Sequence, residues 1–162
     1  MRSDDTAPGR PDDEGMTSVM RRVYVGLVGL LLVSGVLQFY FAAVGAFARP
    51  QTDDSFSLHV TNGRVVFPLL AILAIAAAAL ARAPGRLIGM TAVPLGLVIL
   101  QTLIIVVGNA IGGATEQRTT PLALAILGLH AINGMMIMGA TSAVLARART
   151  LMSSTPAPAP AR

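Results

Sequence analysis

Four apolar stretches constrain this 162-residue chain more than anything else in it. They run over about 23–48, 56–81, 87–112 and 121–146, with Phe56 or Arg64 opening the second. Each holds about the twenty residues that a helix needs to cross hydrocarbon at roughly 1.5 Å per residue. Only helices and closed barrels satisfy their backbone in lipid, and no ten-residue alternation of a barrel strand is present. With 54% hydrophobic and 12% charged residues, one soluble domain of this size has no core large enough to hide the apolar excess. The expected fold is therefore all-α, an integral membrane four-helix bundle over 19–147. Residues 1–18, with Asp4, Asp5, Asp12, Asp13 and Glu14 among Pro and Gly, read as a disordered tail, and the Pro/Ala-rich 148–162 as another.

All twelve basic residues are arginine, and they sit at the ends of the apolar runs, which is a topology signal and sets nucleic acid aside. Nine of them (Arg2, Arg10, Arg21, Arg22, Arg82, Arg86, Arg147, Arg149, Arg162) fall on one side against three (Arg49, Arg64, Arg118) on the other. That bias predicts both termini in the cytoplasm, N-in and C-in. The turn Arg82–Arg86 makes the second and third spans antiparallel neighbours. Ala46-Phe47-Ala48 imitates a secretory cleavage site, but the apolar run before it exceeds the 7–15 residues of a signal core, so the first span is expected to be retained. No cysteine is present, which excludes disulfides, thiolate metal sites and thioether-linked haem.

Inside this bundle a small polar signature occurs twice. Leu58, His59, Asn62 and Gly63 match Leu129, His130, Asn133 and Gly134, while Gln38 and Gly45 match Gln101 and Gly108 at a spacing of 63 residues. The order reads as two tandem helical hairpins with an eight-residue slip between the glycine and the histidine, expected in the loop 113–120 beside Glu116 and Arg118. A direct repeat implies a twofold axis along the membrane normal and puts the two histidines at one depth. The inner ends disagree. His59 lies 23 residues before Arg82 and His130 lies 17 before Arg147, a difference of about 9 Å at helical rise.

Two readings of the signature stand side by side. Asn and Gly lie at i+3 and i+4 from each histidine, on its own helical face. Two imidazoles facing each other across a bundle core suffice as axial ligands for one haem b, with His59 and His130 on the iron. Gly63 and Gly134 would then leave room for a flat ring, Asn62 and Asn133 would be donors behind the ligands, and Arg64 a propionate contact. Electron transfer or haem handling would follow. Alternatively the chain is a non-enzymatic membrane scaffold or accessory subunit without cofactor, whose polar residues only hydrogen-bond between helices. Met135, Met136 and Met138 read as filler, Pro68 and Pro94 as kinks, and Gly85/Gly89 and Gly108/Gly112 as weak GxxxG pairs. Besides the lipid bilayer, partners open to such a chain are another membrane protein or a second copy of itself.

The histidine opening the second span and its counterpart in the fourth resemble one four-span half of a heme A synthase. The region 19–147 is also similar to a family of small four-span bacterial membrane proteins whose function is not established. The first resemblance implies a haem site with His59 and His130 at ligand positions. It does not carry the oxygenase activity, because no carboxylate lies within a span and only one four-span unit is present, so the expectation leans away from an enzyme. Wires that carry two haems need four histidines, and this chain has two.

Overall fold

The computed structural model describes residues 11–115 and 118–153. Helix α1 runs Pro11–Phe47. A 3-10 turn at Asp53–Phe56 leads into α2 (Ser57–Thr61), a π turn (Asn62–Val66) and α3 (Phe67–Leu80), and these form one continuous second span. Helix α4 spans Gly85–Ile111 and α5 spans Pro121–Ser153. Four helical segments, Gly15–Phe47, Asp54–Leu80, Gly85–Ile111 and Pro121–Ser153, are long and apolar enough to cross a membrane, which makes this a multi-pass membrane protein. They pack as an antiparallel ring in which α1 lies between α3 and α5, and α4 touches the same two helices from the other side.

Both outer helices are longer than the apolar runs. Residues 11–18, assigned above to the polar tail, are already helical, as are 148–153. The sequence at 11–14 is Pro followed by three acids, a combination suited to the first turn of a helix, where proline's missing N–H is harmless and the dipole favours negative charge. The rest of both expected tails, and Glu116, lie outside the described residues.

The core forms two layers. At the end holding the turn before α4, Tyr24, Val28, Ala74, Ala77, Ala78, Leu87, Val144, Leu145 and Ala148 are buried together. The alanines of α3 let the helices approach closely. Tyr24 is fully buried, and its hydroxyl lies 2.7 Å from Thr91 Oγ1. Thr91 already donates to the Leu87 carbonyl (2.8 Å), so the tyrosine is the donor of that pair. Leu31, Phe67, Ala71 and Ile137 form the next layer. Large apolar side chains such as Leu30, Val33, Leu69, Ile99 and Met135 cover the outside, as a lipid-facing surface requires.

Of the two proline positions, Pro94 sits buried inside an unbroken α4, whereas Pro68 follows directly on the π turn. Pro68 cannot donate to the carbonyl one turn back, and its ring crowds that carbonyl; the wider turn relieves both. The two GxxxG pairs also separate. A Cβ on Gly108 would meet Ile126 at 3.2 Å, and one on Gly112 would meet Ala123 at 3.0 Å, so that pair lets α4 and α5 close together. Gly85 and Gly89 face open space.

Candidate functional site

Beyond the second layer, toward the end that carries Arg49 and Arg118, polar side chains enter the bundle. His59 and His130 meet there, with ring centroids 6.1 Å apart and planes at 47°. They lie at one level despite the unequal counts to Arg82 and Arg147. Helix α5 simply continues past Arg147 to Ser153, so that arginine does not mark the helix end.

Each histidine is backed by a glutamine and an asparagine, in matching patterns. In the first hairpin Gln38 Nε2 donates to the His59 carbonyl (2.9 Å), and Asn62 Nδ2 donates to Gln38 Oε1 (2.6 Å) and to the Ser34 carbonyl (2.9 Å). In the second, Gln101 Nε2 donates to the His130 carbonyl (2.8 Å), and Asn133 Nδ2 donates to Gln101 Oε1 and to the Leu97 carbonyl (2.8 Å). Residues 34 and 97 each stand four before their glutamine. The match extends outward. Gly45 faces Ser55 and Phe56, and Gly108 faces Ile126 and Leu127, at the same offsets before His59 and His130. The spacing differs by eight residues, ten from Gly45 to Ser55 against eighteen from Gly108 to Ile126. Thr120 caps α5 there by accepting from the Ala123 N–H (3.0 Å).

The clusters differ in one side chain, and the difference has a cost. Ser34 Oγ donates to Asn62 Oδ1 (2.8 Å). Its counterpart is Leu97, which has no donor, and Asn133 Oδ1 is left buried and unpaired. The ring environments differ as well. His59 Nδ1 faces the Gln38 backbone carbonyl at 3.0 Å, an acceptor, so Nδ1 carries the proton. Nε2 faces the Gln38 amide nitrogen at 3.2 Å and accepts from it. Phe56 sits edge-on to the ring, with centroids 6.4 Å apart. His130 Nδ1, by contrast, is buried without a partner.

An apolar cavity of about 260 Å³ occupies the space between the hairpins. Five residues singled out in the sequence line it: His59, Gly63, Arg64, His130 and Gly134. Gln38, Phe39, Gln101 and Met138 line it too, so Met138 is a wall residue, while Met135 and Met136 face outward. Asn62 and Asn133 are buried behind the wall and reach the glutamines rather than the imidazoles. Gly134 has ordinary clearance, since a Cβ there would lie 3.4 Å from Phe39. The space at Gly63 is taken by the Gln38 amide, 2.6 Å from where a Cβ would be. The glutamines are the site residues that sequence reasoning left out of the candidate set. Their signal was present, since they repeat at the spacing of Gly45 and Gly108. Among the described residues no group of three or more His, Cys, Asp or Glu could hold a metal ion by side chains alone.

A family of unknown function (DUF6220) matches residues 38–110, from Gln38 through His59 and Gln101 to the end of α4. The chain is similar to that family over this range, which leaves out α5 and His130. No curated protein and no solved structure matches the chain.

Proposed function

We propose that this membrane protein holds one haem b between His59 and His130, and that it serves electron transfer or haem handling. The observation that carries the reading is the 6.1 Å separation of the two imidazole centroids on the wall of one cavity. Rings this close could each offer one nitrogen to a single iron, as neutral imidazoles do for haem. The protonation of His59 agrees with such a role, because Nδ1–H bound to a backbone carbonyl fixes the ring and keeps Nε2 as the unprotonated nitrogen, occupied here by the Gln38 amide. To hold iron, His59 Nε2 would have to give up its contact with the Gln38 amide. Arg64, on the same wall, is the cation available to a propionate. A bound haem would supply one-electron chemistry, and the surrounding apolar wall would set its exposure to water.

The matching hydrogen-bond patterns support descent of the two hairpins from one duplicated unit, whose axis would run through the cavity. The arginine bias supports a bacterial cytoplasmic membrane with both termini inside. A cofactor-free scaffold is the second reading, favoured by the Gln38 amide, which satisfies His59 Nε2 within the bundle.

Absorption of the detergent-purified protein from haem-replete cells separates the two. A Soret band with visible bands that sharpen on dithionite, lost in both His59→Ala and His130→Ala, is expected of the haem protein. A colourless preparation, with both variants as stable as the parent, refutes it in favour of the scaffold.

A further inference from the structure

At the opposite end of the bundle from the histidines, a second cleft of about 260 Å³ opens between α4 and α5. Arg86 from the first turn of α4 and Arg147 from α5 line it, together with Thr150. Its remaining wall is apolar, made by Leu87, Met90 and Leu151. Among the described residues, the acids at this end are those that open α1, Asp12, Asp13 and Glu14. No Asp or Glu occurs anywhere between Asp54 and Glu116, nor after Glu116, so neither α4 nor α5 carries a carboxylate. Arginines from two different helices thus share one cleft at a span end, and neither helix carries an acid to pair with them.

We propose that this cleft binds the headgroup of an anionic phospholipid. The phosphodiester would bridge Arg86 and Arg147, and an acyl chain would lie along Leu87, Met90 and Leu151. Basic clefts between membrane helices take anionic headgroups because the guanidinium fork matches two phosphate oxygens, while the apolar flank extends into the acyl region. The site is independent of the haem reading and lies beyond the buried layer around Tyr24. A bound lipid would tie α4 to α5 at this end of the bundle.

The test uses the full chain in a neutral detergent, titrated with short-chain phosphatidylglycerol, short-chain phosphatidylcholine or inorganic phosphate, with thermal unfolding and native mass spectrometry as readouts. Phosphatidylglycerol is expected to raise the melting temperature and to remain bound in the gas phase, and the other two are not. Each arginine near an anionic headgroup is worth about fivefold in affinity, so Arg86→Gln with Arg147→Gln should weaken retention roughly 25-fold. The double variant with lysines should keep most of it. The lipid-free melting temperatures of the variants show whether either is misfolded, and the single substitutions then serve in its place. Equal effects of phosphatidylglycerol and phosphatidylcholine, or full retention by the double glutamine variant, overturn the site. An equal effect of inorganic phosphate overturns the lipid assignment.

Discussion

The two polar clusters differ by one hydroxyl, and that predicts unequal consequences of the same substitution. Asn62 makes three hydrogen bonds: it donates to Gln38 and to the Ser34 carbonyl, and it accepts from Ser34 Oγ. Asn133 makes the equivalent two, and its Oδ1 is buried and unpaired. Interhelical hydrogen bonds in membrane proteins average about 0.6 kcal/mol, so Asn62→Leu should cost about 2 kcal/mol. Asn133→Leu forfeits about 1.2 kcal/mol by the same measure. It also removes an unsatisfied buried acceptor, which returns on the order of 1 kcal/mol and leaves the change close to neutral. A gap of about 2 kcal/mol corresponds to about 4–8 °C in melting temperature for a chain of this length. Thermal unfolding of both variants in detergent measures it, with Ser34→Ala as an intermediate case in which Asn62 Oδ1 becomes the unpaired atom. If Asn133→Leu melts as low as Asn62→Leu, the missing hydroxyl at Leu97 is not what distinguishes the halves, and the reasoning fails.

Two further outcomes follow from single contacts. Gly63→Ala should displace the Gln38 amide, which lies 2.6 Å from the new methyl, and lower stability by about 1–2 kcal/mol. Gly134→Ala, with only an ordinary contact to Phe39, should stay within about 0.5 kcal/mol of the parent, and paired melting curves distinguish the two. Tyr24→Phe removes one buried hydrogen bond while Thr91 keeps its own to Leu87, so a loss of about 1 kcal/mol is expected in the same assay.

Much of this architecture was legible in the sequence, because lipid leaves few choices. Apolar runs of spanning length fixed the four helices and their number, and the short arginine-flanked turn fixed the neighbour relation of α3 and α4. The repeated His-x-x-Asn-Gly placed the two imidazoles together against the contrary residue counts. What escaped was local. A π turn and an α turn differ by one residue, and apolar periodicity does not register that difference, so the widening at Asn62–Val66 before Pro68 went unseen. Gly63 read as room for a ligand, whereas the structure gives that space to the Gln38 amide. Such a use depends on the neighbouring helix and is invisible along a single strand of sequence. The early start of α1 escaped for the opposite reason, since the polarity at residues 11–18 signals the absence of lipid and not the absence of helix.

The proposed haem site requires His59 and His130 to hold one shared iron. Low-temperature electron paramagnetic resonance of the oxidised protein reads the axial ligands directly. A low-spin ferric signal of bis-imidazole type at one haem per chain is expected, converted to high spin or lost when either histidine becomes alanine. A haem that stays low-spin in both alanine variants, or protein purified from haem-replete cells that contains no iron, would contradict it.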